Sequence, residues 1–370
     1  MPAGYPADML GPHPEHRPFT VPVHHVTLCD LARTFPVAAD QTILEAALAA
    51  DIDYPFGCES GMCGACRSQC VAGSVRMASF RRSALSETDE ALGYILACRS
   101  RPQTDCQISF PALGSAPMQI RRAAGAVTRI ESATATIKRV WIKLDAGSAF
   151  TFLPGQFGSI SFGELPARDY SFASQPADDE LELHVKLEPD GTVSSFVHET
   201  LGVGDRVDIK GPFGHAFLRE RDDRPIVAVA GGSGLAPIKT IVERAVELAP
   251  ARRIDVYLSA RSEAELYLVD HFEQLATRHG NMKIVTVASG TAHPATEGHP
   301  RGRTAAALAR DFERLAGRQI YVAGPPAMVE QCVDTAMRLG AREQDCHADA
   351  FHTRHDAQAG ALREPSKGMR

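Results

Sequence analysis

The spacing of apolar and polar residues changes rhythm along the chain. FTVPVHHVTL and ARTFPVA, at 19–28 and 32–38, alternate with a period of two and predict two strands. QTILEAALAADI then places Ile43, Ala46, Ala47 and Ala50 on one face, the pattern of a short amphipathic helix. A cysteine-rich stretch follows, to about Phe110. PALGSAPMQIRR, with two prolines, a glycine and little periodicity, reads as a linker. From about Ala123 to Arg219 short strands recur (GAVTRIES, TIKRVWIKL, QFGSISF, ELELHVKL, DRVDIKG), spaced as in an antiparallel barrel or sandwich. From about Asp222 the apolar runs PIVAVA, RIDVYLSA, MKIVTVAS and RQIYVAG alternate with helical stretches, which is βαβ rhythm and a parallel sheet. No internal repeat interrupts this order.

Composition bounds the reading. At 370 residues the chain is long for one core and calls for two or three domains. Its 44% hydrophobic and 23% charged residues are those of a globular protein in water. A net charge of −6 argues against nucleic acid or an anionic membrane as partner. No apolar run of about twenty residues predicts a membrane span. Residues 1–18 lack the basic start and apolar run of a signal peptide and read as a flexible tail, as do residues 353–370. Nine cysteines, four of them in one spaced pattern, favour a cofactor site in a reducing cytoplasm over a disulfide framework.

That pattern is Cys58-x4-Cys63-x2-Cys66, then Cys98. A zinc site with four cysteine ligands usually comes as two C-x2-C knuckles, and only one is present. A thioredoxin-like C-x-x-C wants a βαβ context. A [2Fe–2S] cluster needs four thiolates, and this is their plant-type spacing. Gly57, Gly61 and Gly64 let the loop take positive φ and bring N–H groups to the sulfurs. ILEAALAADIDYPFGCESGMCGAC and YILACRSRPQTD resemble the helix, cluster loop and last-ligand segment of plant-type ferredoxins. The resemblance implies that Cys58 and Cys63 hold one iron and that Cys66 and Cys98 hold the other. Cys29, Cys70 and Cys106 are expected to be small packed residues.

RDYSFAS at 168–174 is preceded by FLPGQFGSI and followed by DGTVSSFV and GDRVDIKGPFG. Together these resemble the ferredoxin–NADP reductase superfamily. The resemblance implies a flavin site with Arg168 on a phosphate, Tyr170 stacked on the ring and Ser171 at the hydride-accepting nitrogen. Phe172, His184 and Val185 accompany them. Gly191, Val193 and Ser194 would start a helix facing a pyrophosphate, which favours FAD over FMN. PIVAVAGGSGLAPIKT is a strand, a glycine turn and a helix, a context suited to a pyrophosphate. It lacks the third glycine of the dinucleotide fingerprint and is similar to the superfamily's AGGTGIAP turn, which implies that Gly231, Gly232, Ser233 and Gly234 bind the nicotinamide dinucleotide. YVAGPPAMV implies Gly324 and Pro325 under the nicotinamide, with Ala323 where many members have cysteine. SARSEAELY offers only Ser259 and Arg261 to a 2′-phosphate, which favours NADH, with NADPH the alternative. Asp255 has the separation of a ribose-binding acid but starts its strand. HADAF resembles the superfamily's terminus, so Phe351 is expected to cover the flavin until nicotinamide displaces it.

The predicted architecture is multidomain, α+β and α/β. It comprises a β-grasp ferredoxin domain (19–111), a linker (112–122), a flavin-binding antiparallel β-barrel (123–220) and a parallel-sheet NAD-binding domain (221–352). That order resembles the reductase component of bacterial multicomponent oxygenases. The expected activity passes electrons from NADH through FAD and the cluster, one at a time, to a terminal oxygenase. The alternatives are a different one-electron acceptor, such as a deoxysugar dehydratase, and a redox sensor without turnover. The expected state is a cytoplasmic monomer.

Overall fold

The computed structural model describes residues 22–351 except 58, 60, 62, 63, 83, 86, 110–119 and 291–302. The two tails and most of the linker read from the sequence lie outside the described residues.

The first domain opens with a hairpin, β1 (Val23–Leu28) and β2 (Arg33–Ala38), in which Val26 faces Phe35. Helix α1 (Ile43–Ala49) starts at a capping box: the Glu45 N–H donates to Thr42 Oγ1 at 3.2 Å, and the Thr42 N–H donates to Glu45 Oε2 at 2.8 Å. It turns Ile43, Leu44 and Ala47 into the core. Then come β3 (Arg67–Ala72), β4 (Val75–Met77), α2 (Glu87–Ala91), β5 (Tyr94–Leu96), β6 (Ser100–Pro102) and β7 (Cys106–Ser109). The main sheet runs β2-β1-β7-β3-β5, with β1 and β7 parallel, and β4 pairs separately with β6. This is the β-grasp arrangement expected. Cys106 is buried as expected, but Cys70 is only half-buried. Cys29 is a correction: it lies exposed in the helical turn Cys29–Leu31 that follows β1, none of whose residues is buried.

The second domain is a six-stranded antiparallel barrel. Its strands are β8 (Arg121–Ser132), β9 (Ile137–Leu144), β10 (Phe157–Phe162), β11 (Arg168–Ser171), β12 (Leu181–Lys186) and β13 (Arg206–Phe213), in the order β11-β10-β13-β8-β9-β12. A bridge between Phe172 and Leu183 joins the two edge strands. Helix α3 (Thr192–Glu199) packs beside β12. β8 starts at Arg121, so pairing with β13 draws the last residues of the expected linker into the sheet.

The third domain alternates β14 (Ile226–Gly231), α4 (Leu235–Leu248), β15 (Ile254–Ala260), α5 (Val269–His279), β16 (Met282–Ala288), α6 (Arg303–Asp311), β17 (Gln319–Gly324), α7 (Pro326–Arg338) and β18 (Cys346–Ala350). The sheet is wholly parallel, in the order β16-β15-β14-β17-β18. Every residue of β14, β15 and β17 is buried, because helices cover both faces. HADAF is not just a chain end: its residues pair with β17 as the fifth strand.

Candidate functional site

Of the four predicted cluster ligands, Cys58 and Cys63 lie outside the described residues. Cys66 and Cys98, separated by 32 positions, have their sulfurs 3.2 Å apart, and both are buried. The Cys98 N–H also points at Cys66 Sγ, at 3.5 Å. Two cysteine sulfurs brought this close in a loop with backbone donors fit ligation of one iron, the pairing the ferredoxin resemblance implies. The loop is built for positive φ, at +77° in Gly61 and +72° in Gly64.

The segment entering that loop docks on the barrel. The Phe56 ring centroid lies 4.7 Å from that of Phe213 and 5.7 Å from that of Phe157, and the Gly214 N–H donates to the Phe56 carbonyl at 3.2 Å. A narrow crevice lined by Gly57, Gly214, His215, Ala348 and Asp349 marks where all three domains meet.

β11 presents the flavin motif at a sheet edge. Among the described residues the Arg168 guanidinium has one hydrogen-bond partner, the neighbouring Ala167 carbonyl, and so retains donors for an anion. The half-buried Tyr170 ring meets Phe162 edge-on, which leaves it a face to stack. Helix α3 begins at Gly191 without a side-chain cap. The Ser194 hydroxyl is spent inside its own turn, accepting from the Glu188 N–H and donating to the Gly191 carbonyl. Its first-turn N–H groups are thus left for a phosphate. The side chains of Phe172, Val185 and Val193 lie in the barrel core, and the fully buried Phe172 ring packs on Phe150 and Phe152. These three residues can meet a cofactor only through backbone.

The glycine turn after β14 packs tightly against β17. A Cβ on Gly234 would stand 2.2 Å from the Ala323 carbonyl oxygen, and one on Gly324 would stand 2.7 Å from that of Gly231. Gly232 and Ser233 are half-exposed above this contact. Pro325 starts α7. β18 then crosses to the barrel: Ser171 Oγ donates to Asp349 Oδ2 across 3.5 Å, and the Phe351 N–H donates to the Gly324 carbonyl at 2.9 Å. Ser171, Gly324 and Phe351 are thereby brought together from two domains. Asp349 was not singled out in the sequence; its only signal there was its place in HADAF. Arg261 is exposed just past β15, with its N–H on Glu265 Oε2 at 3.3 Å. Asp255 is a buried residue of β15 itself, paired with Arg253 and Arg318, and is structural.

The side chain of His184, expected at the cofactor, is engaged with protein groups instead. Its ring is fully buried between domains, with Nε2 3.0 Å from Glu182 Oε1 and Nδ1 2.9 Å from Tyr267 Oη. Burial holds its pKa below the ordinary value. The neutral ring donates to Glu182 and accepts from Tyr267, whose hydroxyl also lies 3.4 Å from the Gly232 carbonyl. Burial alone would raise Glu182, but the bond from His184 and the charges of Lys239 and Arg139 hold it down at about 2. Lys239 reaches Glu182, Glu243 and the Ala173 carbonyl. No sequence signal marked Lys239, Glu182 or Tyr267 for this role.

Three family descriptions match the chain in series: a 2Fe-2S iron-sulfur cluster binding domain at 26–103, an oxidoreductase FAD-binding domain at 125–217 and an oxidoreductase NAD-binding domain at 228–334. The ferredoxin–NAD(P)+ reductase component of the naphthalene 1,2-dioxygenase/salicylate 5-hydroxylase systems of Ralstonia sp. is 36% identical over 316 residues, 84% of this chain and 93% of that protein. The reductase component of phenol 2-monooxygenase from Pseudomonas sp. strain CF600 is 32% identical over 348 residues, 92% of this chain and 98% of that one. Among solved structures, the ferredoxin reductase in carbazole 1,9a-dioxygenase superposes with a TM-score of 0.62 at 25% identity, covering 89% of this chain and 98% of that one.

Proposed function

Because the chain belongs to the family of NAD(P)-linked, iron–sulfur flavoprotein reductase components of multicomponent oxygenases, we propose that its acceptor is a terminal oxygenase acting on aromatic compounds. The cofactors of this oxidoreductase are a [2Fe–2S] cluster, FAD and NADH. Flavin takes two electrons as hydride and gives them up singly, and the cluster carries one, so the pair steps a two-electron donor down to a one-electron acceptor. In this reading Arg168, Tyr170, Ser171 and the start of α3 hold FAD. Gly231–Gly234 with Gly324 and Pro325 hold NADH, and Cys58, Cys63, Cys66 and Cys98 hold the cluster. Asp349 orients the Ser171 hydroxyl, and Phe351 occupies the nicotinamide position until the dinucleotide arrives. The protein works as a cytoplasmic monomer.

The observation that supports this most is the convergence of three domains on one narrow crevice, lined both by Gly57, next to the first predicted cluster ligand, and by Asp349 of the nucleotide domain. Among the described residues no helix is long and apolar enough to cross a membrane. The test is the visible spectrum of anaerobically purified protein. Overlapping flavin and iron–sulfur absorption should bleach on adding NADH. Cys98→Ser should abolish NADH-driven cytochrome c reduction and spare ferricyanide reduction. Equal survival of both activities would remove the cluster from the exit path.

A further inference from the structure

Cys70 and Cys106 stand outside the cluster set, on neighbouring strands of the ferredoxin sheet. β3 and β7 pair with Cys70 opposite Ile108, and an irregularity between Cys70 and Ala72 bends the end of β3. The following turn then wraps over Cys106. Cys70 Sγ lies 3.4 Å from the Ala72 carbonyl oxygen, and Cys106 Sγ lies 3.4 Å from that of Ser74 and 3.1 Å from that of Thr104. Both sulfurs border this same turn, and Cys70 Sγ also lies 3.9 Å from the Gly73 carbonyl oxygen. Gly73 keeps the space open: a Cβ there would stand 2.9 Å from Cys106 Sγ, at a φ of +88° that already favours glycine. Neither cysteine is in a disulfide; Cys106 is buried and Cys70 half-exposed.

We propose that Cys70 and Cys106 form a site of reversible oxidation, closing to a disulfide with hydrogen peroxide as oxidant. The neighbouring cysteine pushes the pKa of Cys70 up, so Cys70 keeps its proton, and lowers that of Cys106 to about 7. The Cys106 thiolate is the nucleophile. It takes one peroxide oxygen, the O–O bond breaks, and the departing hydroxide leaves as water with the proton the thiol had released. The Cys70 sulfur then displaces the sulfenic hydroxyl, which leaves with the Cys70 proton as a second water, and the S–S bond forms. Two thiols and one peroxide thus give one disulfide and two waters. The bond would fasten β3, which begins one residue after Cys66, to β7.

The test uses the full-length holoprotein. It is titrated with hydrogen peroxide while cluster absorbance is followed, blocked with iodoacetamide and digested with trypsin without reductant. Cleavage releases Cys70 in 68–76 and Cys106 in 100–121, neither of which contains a cluster cysteine. The expected result is a cross-linked pair of these two fragments that forms before cluster absorbance falls. Dithiothreitol should remove it, and it should be missing from Cys70→Ser. The proposal is overturned if both cysteines are alkylated throughout the titration, or if each is oxidised singly to a sulfinic acid. It is equally overturned if they join only to cluster cysteines, or only after the cluster has bleached.

Discussion

Gly234 and Gly231 show how differently two glycines of one turn constrain the site. A Cβ at Gly234 would strike backbone, the Ala323 oxygen at 2.2 Å and its carbon at 2.5 Å. A Cβ at Gly231 would chiefly meet the end of the Met328 side chain, with Sδ at 2.6 Å, and a thioether can turn aside. Gly234→Ala is therefore expected to lose about 1–3 kcal/mol of stability from overpacking, and Gly231→Ala less. The first should also raise KM for NADH several-fold while flavin content is unchanged. Thermal melts and steady-state kinetics check this; equal effects from the two substitutions would contradict the packing argument. The residue scale also divides what sequence reveals. The cysteine spacing was legible because ligands in one loop sit at fixed separations. Asp349 was not, because what singles it out is a contact with Ser171, 178 positions away.

At the scale of elements, β12 and α4 meet across the seam between barrel and nucleotide domain through buried charge. His184 and Glu182 on β12 face Tyr267, Lys239 and Glu243, while Arg139 closes the group from β9. The sheet types, antiparallel and parallel, followed from period-two and βαβ rhythms, since burial on one or both faces writes itself into local alternation. The seam did not, because a lysine on a helix or a histidine in a strand reads as a surface residue until a second domain covers it. Its protonation gives a prediction. The folded-state pKa of His184 lies below the ordinary 6.5, so the unfolded chain gains a proton first as pH falls, and stability is lost downward from about pH 6.5. Glu182, at about 2 when folded against an ordinary 4.5, adds a second loss below about pH 4.5. Neither contribution changes above neutrality. Melting followed by flavin fluorescence should show falling stability from pH 7 to 4, and His184→Gln should flatten the upper part of that fall. A His184→Gln profile parallel to the wild type would exclude the histidine as its source.

On the scale of the whole molecule, one arginine joins the cluster loop to the nucleotide domain. The Arg81 N–H donates to the Gly61 carbonyl at 3.0 Å, inside the cluster loop. Its guanidinium reaches Asp334 Oδ1 at 2.7 Å and Glu330 Oε1 at 2.8 Å, both on α7, the helix that starts at Pro326 beside the nicotinamide segment. The aromatic contact of Phe56 with Phe157 and Phe213 fixes the other side of the ferredoxin domain by burial, which salt does not weaken. The Arg81 pairs are half in water, and such pairs contribute roughly 0.2–1 kcal/mol each, screened by salt. Losing both therefore changes the docked population by about thirtyfold at most. Arg81→Gln is expected to leave NADH-driven ferricyanide reduction unchanged and to slow cluster bleaching after NADH is mixed with the anaerobic protein. Raising ionic strength should slow the wild type toward the variant and leave the variant where it is. Stopped-flow absorbance at low and high salt separates the outcomes: a variant with wild-type bleaching at low salt would show that the Phe56 contact alone positions the cluster, and a variant as salt-sensitive as the wild type would place the screened charges elsewhere.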